Sequence, residues 1–304
     1  MMGAAIVQPS PKKARTPQTR TLALHRAIAQ VASEYDRLSI RQLFYQLVSR
    51  GTVEKTEHAY KRVCDAATQM RLAGSLDYRQ VVDGHRTRHG TYAHDGIQAA
   101  LESTYLIYRR DYWLEQPTHV EVWSEKDALS GVIHPVCDRY GVPYVATRGF
   151  PSVTLIYESA KAITATGKPA RVFYFGDHDA SGQSISAGLE RDLRGHGADV
   201  TVERMALNPD QVAAYRLPTR PGKQSDSRHA AFAARFGDAS VELDALPPDV
   251  LTALVEHSIL SAIDPDSWGR VATVERLEEM TLASLAASDF TPGTSYTTAP
   301  EVAS

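Results

Sequence analysis

Residues 170–184 read ARVFYFGDHDASGQS, and the fold turns on this stretch. Val172, Phe173, Tyr174 and Phe175 form a short apolar run of β-branched and aromatic residues, the pattern of a parallel strand covered on both faces. Gly176 ends the run. Asp177 and Asp179 then stand at the strand's carboxyl end, where open α/β sheets place their ligands. Asp179 or Ser181 is placed to cap a following helix, and Gly182 permits a close backbone approach. Two carboxylates one residue apart repel unless they share a cation, and oxygen-only donors in a loop-lined position suit Mg2+. The plainer alternative has one aspartate capping the helix and the other solvated. His178, between them, is a candidate ligand or phosphate contact, or simply an exposed histidine.

Outward from this stretch, strand and helix patterns alternate. Strands are expected at 119–123, 143–147, 170–176 and 199–205, with helices at 127–139, 152–166 and 181–194. This alternation predicts an α/β domain over 118–207, a Rossmann-like parallel sheet with helices on both faces. The first strand, HVEVW, is followed at its end by Ser124, Glu125, Lys126 and Asp127. Glu125 is therefore a second strand-end acid.

The amino-terminal part reads as helices. Leu22, Leu24, Ile28 and Val31 mark one from Thr21, and Ser39 is placed to cap a second. In that second helix Ile40, Leu43, Phe44, Leu47 and Val48 form one apolar stripe, and Gly51 ends it. A third spans Glu54 to Leu72, closed by Gly74, and 76–82 suits a short strand or wing. Three helices plus a wing over 21–92 predict a helix-turn-helix-type DNA-binding module. Tyr45 lies away from the stripe, on the turn above Arg41, so periodicity turns it toward solvent or a partner; packing against the wing or third helix is the other reading.

Charge supports this division. Residues 1–90 carry 15 Lys/Arg against 7 Asp/Glu, whereas the remainder carries 18 against 29. A basic part joined to an acidic part suits a nucleic-acid-binding module attached to a metal-binding one. Residues 1–20 read as a disordered basic arm, with Lys12 and Lys13 as phosphate contacts, and Arg86 and Arg88 in GHRTRHG are further candidates. Residues 93–117, helical from Ile97 to Leu114, form a linker.

Residues 208–288 read as a helical C-terminal extension: a polar loop at 218–227, then helices at 247–263 and 268–287. Glu242 and Asp244 in VELDAL read as a capped turn rather than a metal site, and 289–304 as a disordered tail. Two cysteines, Cys64 and Cys137, without C-x-x-C, argue against a disulfide framework or zinc site and read as buried thiols. No G-x-x-x-x-G-K occurs, and no run is long enough to span a membrane; a cytoplasmic protein is expected.

Strand–Glu125 followed by strand–Asp177-x-Asp179-x-x-Gly182 resembles the Toprim domain, the metal-binding domain of topoisomerases, primases and some nucleases. Arg41-Gln42-Leu43-Phe44-Tyr45 resembles the R-x-x-[FY]-Y motif of the topoisomerase VI A subunit and the related meiotic double-strand-break transesterase. Gly149-Phe150-Pro151-Ser152 resembles that family's G-[YF]-P-[SD] turn. The resemblance implies a winged-helix domain before a Toprim domain and cleavage of double-stranded DNA by tyrosyl transesterification. Tyr45 would be the nucleophile, Arg41 would steady the phosphate, Asp177 and Asp179 would bind Mg2+, and Glu125 would share the metal or relay a proton. A homodimer and a separate ATPase subunit are implied as partners. The alternatives are a Toprim nuclease that hydrolyses DNA with water, as the nuclease subunit of the Wadjet plasmid-defence system does, and a non-catalytic DNA-binding module.

Overall fold

The computed structural model describes residues 18–35, 37–82 and 93–288. Lys12, Lys13, Arg86, Arg88 and the tail 289–304 lie outside the described residues. In chain order the helices are α1 (Gln18–Glu34), α2 (Ile40–Ser49), α3 (Glu57–Leu72), α4 (Ile97–Ile107), α5 (Ser130–Arg139), α6 (Val153–Ala165), α7 (Ala180–Gly195), α8 (Pro209–Ala214), α9 (His229–Phe236), α10 (Pro248–Leu260) and α11 (Pro265–Ala286). The strands are β1 (Leu38–Ser39), β2 (Val81–Val82), β3 (His119–Ser124), β4 (Tyr144–Ala146), β5 (Ala170–Phe175), β6 (Val200–Ala206), β7 (Arg220–Pro221) and β8 (Ala239–Ser240). None of the described helices is long and apolar enough to cross a membrane.

β3 to β6 form one parallel sheet in the order β4-β3-β5-β6. Alternation along β5 divides its side chains between two layers. Val172 and Tyr174 pack with Ile156 and Ile163 of α6 and Leu189 of α7, while Phe173 and Phe175 join the layer of Ile133 of α5 and Leu251 of α10. All four are fully buried, each contributing on the order of 2 kcal/mol by burial. Helices therefore cover both faces, as the sequence pattern requires. From β3 the chain turns to β4 on one side, and from β5 to β6 on the other. The connections thus diverge between β3 and β5, which opens a crevice at their carboxyl ends.

In the amino-terminal part, Leu24, Ile28 and Val31 of α1 share a core with Leu43, Phe44 and Leu47 of α2 and Val63 and Met70 of α3. The same core runs on into the α5/α10 side of the sheet. Ser39 caps α2 through a reciprocal box: its hydroxyl accepts from Gln42 N at 3.1 Å, and the Gln42 side chain accepts from Ser39 N at 2.8 Å. Gly51, at φ +67°, ends that helix in a conformation glycine tolerates.

Several expected boundaries move for local reasons. α3 starts at Glu57 because Thr56, not a residue near Glu54, supplies the cap to Ala59 N. Of 76–82 only Val81–Val82 is strand, paired in parallel with Leu38–Ser39 ahead of α2. α4 stops at Ile107 rather than Leu114, because Tyr108 is extended and its hydroxyl, with the Arg110 guanidinium, binds Glu278 of α11. Cys137 is buried and Cys64 half-buried, both as free thiols.

Replacement of Ser39 by Ala removes one arm of the box and lowers stability by about 1 kcal/mol in urea denaturation. An unchanged midpoint would show that the cap contributes nothing.

Candidate functional site

Three strand-end acids, Glu125, Asp177 and Asp179, line one cleft at the crevice between β3 and β5, although among the described residues no three acidic or imidazole side chains are gathered closely enough to hold a metal as they stand. Glu125 N donates to Phe175 O at 2.9 Å, which fixes Glu125 beside the end of β5, and its Oε2 accepts the backbone N–H of Asp177 at 3.0 Å. Asp179 caps α7, its Oδ1 accepting Gly182 N at 2.8 Å. A Cβ on Gly182 would stand 2.2 Å from the Asp177 carbonyl and 3.0 Å from Glu125 Oε2, so only glycine lets α7 approach the acids. Of the plainer alternative, half is observed: Asp179 is a cap, but Asp177 is buried and not solvated.

The surroundings of Asp177 come from a segment that sequence patterning left as a turn. Leu243 N donates to Asp177 Oδ1 at 2.8 Å, and Val241 pairs with His178 through two backbone hydrogen bonds. This pairing carries Glu242 and Asp244 into the crevice, around a 3-10 turn at Leu243–Ala245. The Lys126 ammonium lies among three carboxylates: 2.7 Å from Asp244 Oδ2, 3.1 Å from Asp177 Oδ2 and 3.2 Å from Glu242 Oε2. Glu242 also takes Arg41 at 2.7 Å and Arg220 at 2.6 Å.

Sequence reasoning gave Lys126 and Arg220 no role and read Glu242 and Asp244 as a turn. The available signals were weak: a lysine directly after a strand-end acid, and two carboxylates one residue apart in VELDAL. Arg204 on β6 was also missed. Its guanidinium donates to the carbonyls of Gly176 at 3.1 Å, Gly182 at 3.0 Å and Asp177, and so clamps the backbone behind the acids.

Electrostatics differ sharply between neighbours. Burial, helped by the charge of Asp177, pushes the Glu125 carboxyl up to about 7. Asp177 is also raised by burial, against the pull of Lys126. Burial would raise Glu242 too, but Lys126, Arg41 and Arg220 overcome it and hold the carboxyl at about 2. Lys126 itself is held charged above the ordinary lysine range, since Asp244, Asp177 and Glu242 outweigh its desolvation.

Of the two readings of Tyr45, the packed one holds, though the cover includes the 243–245 turn as well as the expected helical part. Tyr45 is 3% exposed, edge-on to Phe44, with the Lys55 ammonium 5.1 Å over its ring. The periodicity argument allowed α2 one buried face, yet α2 is covered a second time by the 243–245 turn, and every residue from Gln42 to Leu47 is buried. Burial, then the charge of Glu242, raises the Tyr45 hydroxyl to about 12, while Arg41, Lys126 and Arg220 pull the other way. His178 departs from expectation: it is buried, with its ring against Phe232 and Phe236, and burial lowers its basicity. In the GFPS turn, Gly149 takes φ +91° and Ser152 caps α6 through Leu155 N.

Together these groups line an open cleft of about 700 Å³, acidic at its floor and edged by Arg41, Arg148, Arg220 and Lys223. A buried acidic floor inside a basic rim suits a hard cation together with a polyanion. The chain matches no protein-family model, and no curated protein matches it.

Glu125 binds its proton more tightly in the folded state than in the unfolded chain, where its ordinary value is 4.5. Its contribution to stability therefore grows as pH falls through 7 and is complete below 4.5. In EDTA, Glu125→Gln is expected to be more stable than wild type above pH 7, by about 3 kcal/mol, with the difference closing toward pH 4.5. A pH-independent difference in urea denaturation would contradict this.

Proposed function

We propose that the protein is a Toprim-type, Mg2+-dependent enzyme that cleaves double-stranded DNA, with a winged-helix module delivering the duplex to the acid cleft. The observation that carries this reading is the placement of Glu125, Asp177 and Asp179 along one cleft at the sheet's switch point, beneath a rim of arginines and lysines.

The donor chemistry suits a hard divalent cation, which would have to take Asp177 Oδ2 from the Lys126 ammonium and share Asp179 with the cap of α7. All the candidate ligands are carboxylate oxygens, and Asp244, fully buried, has an Oδ1 without a hydrogen-bond partner. Asp177 and Asp179, with Glu125 alongside, would hold the ion. When bound, it offsets the negative charge that builds on the phosphoryl oxygens.

The chain's own groups supply the rest. Arg204 ties together the two ends of the loop that carries Asp177 and Asp179, and Gly182 leaves room for Glu125 beside it. Glu125 Oε2 is committed to the Asp177 N–H, which leaves Oε1 to carry a proton. The Glu125 carboxyl stands at about 7 while the cleft holds no cation; beside a bound ion Glu125 would share it or relay a proton to a departing sugar oxygen.

Water is the attacking group that this conformation favours. A nucleophilic tyrosine must reach phosphorus and lose its proton, whereas Tyr45 is covered and its hydroxyl raised to about 12. Transesterification by Tyr45 is the second reading, favoured by the three cations, Arg41, Lys126 and Arg220, that act on its hydroxyl. It requires α2 to part from the 243–245 turn, and the homodimer and separate ATPase subunit belong to it. Arg41 and the acids line one cleft of a single chain, so the hydrolytic route calls for neither.

Supercoiled plasmid incubated with Mg2+ and then denatured, with and without protease, tests both readings. Hydrolysis predicts cut DNA free of protein, undiminished in Tyr45→Phe and reduced at least about a hundredfold in Asp177→Asn. Protein-linked ends that vanish in Tyr45→Phe would replace hydrolysis with transesterification. Cutting unaffected by Asp177→Asn would refute the acid site.

A further inference from the structure

Glu242 is surrounded as a bound anion would be. Arg41 approaches its Oε2 through both Nη2, at 2.7 Å, and Nε, at 2.9 Å; Lys126 reaches the same oxygen at 3.2 Å, and Arg220 takes Oε1 at 2.6 Å. Three cations from three separate parts of the chain thus converge on one carboxylate that is 3% exposed. The two arginines retain access from the cleft, with side chains 43% and 33% exposed. Guanidinium forks joined by an ammonium match the oxygens of a phosphate at least as well as those of a carboxylate.

We propose that Arg41, Arg220 and Lys126 form a phosphate-binding site for the DNA backbone, and that Glu242 fills it as an internal substitute until DNA arrives. The assignment of DNA as the source of the phosphate rests on the DNA-cleaving reading above. The backbone around Glu242 stays anchored by the Leu243 N bond to Asp177 and the Val241–His178 pair, so the exchange is a rotation of one side chain. The displaced carboxylate turns into the cleft, and the phosphate takes its place beside the strand-end acids. An internal occupant of this kind keeps the arginines ordered and discriminates against weakly held anions, since every ligand must first displace Glu242.

The test titrates inorganic phosphate, and separately a short DNA duplex in EDTA, into wild type, Glu242→Gln and Glu242→Gln/Arg41→Gln. An amide cannot compete as an anion, so Glu242→Gln is expected to bind phosphate at least tenfold more tightly than wild type, and the double variant to lose that gain. For the duplex, Glu242→Gln is expected to tighten binding in parallel, while the slope of log affinity against log salt, set by the one phosphate that occupies the site in either protein, stays the same. A folded Glu242→Gln with no gain for phosphate would overturn the proposal and leave Glu242 a structural ion-pair partner. If Glu242→Gln melts early, phosphate must restore its melting temperature, and failure to do so is equally fatal. A gain for phosphate without one for the duplex would keep the anion site but reject DNA as its source, and the DNA reading would fall separately.

Discussion

The charge of Lys126 is the constraint on which the rest of the structure depends. Asp177, Glu242 and Asp244 are all buried and all within 3.2 Å of its ammonium. Carboxylates that share one ammonium stand close enough to repel by roughly a few kcal/mol a pair at an effective dielectric of about 20. Removing a cation from a buried cluster of this kind typically costs about 3–5 kcal/mol. The carboxyl end of the sheet can therefore gather these acids only around a positive charge. The lysine supplies one, and leaves Glu125, which it does not contact, poorly compensated.

From that cluster the ionic contacts spread to the amino-terminal helices. Glu242 links Lys126 to Arg41 on α2, and Arg41 stands one helical turn before Tyr45. The contact that organises the acid floor also draws α2 onto the 243–245 turn and covers Tyr45. The helical part and the sheet thus meet through a polar interface beside a continuous apolar core, and a change of charge in the cleft acts on both.

The parts legible in the sequence are those set by short-range patterns. The four strands of the sheet follow from apolar runs separated by helical periods, and the boundaries agree to within a residue or two. Glu125, Asp177 and Asp179 were placed because strand ends at a switch point are geometrically determined, and Gly182 because a helix start so close to them excludes a Cβ. Glu242 and Asp244 were not placed, because they reach the cleft through pairing across more than sixty residues, which leaves no local periodicity. Arg204 is one of many polar residues on an edge strand, and its role appears only once α7 and the β5 loop lie above it. For Tyr45 the sequence left open solvent or packing on the wing or third helix, and the turn that covers it was not foreseen for the complementary reason: an amphipathic stripe reports one buried face and cannot show a second partner on the opposite side.

The central claim is that the oxygens gathered at the switch point hold a divalent cation. Electron paramagnetic resonance of Mn2+ titrated into the protein tests it without reference to DNA or turnover. A cation site here gives saturable loss of the free-ion signal in wild type, relieved by excess Mg2+ and abolished in a folded Asp177→Asn/Asp179→Asn variant. A signal that stays that of free Mn2+ throughout, or binding that survives in the double variant, would contradict it.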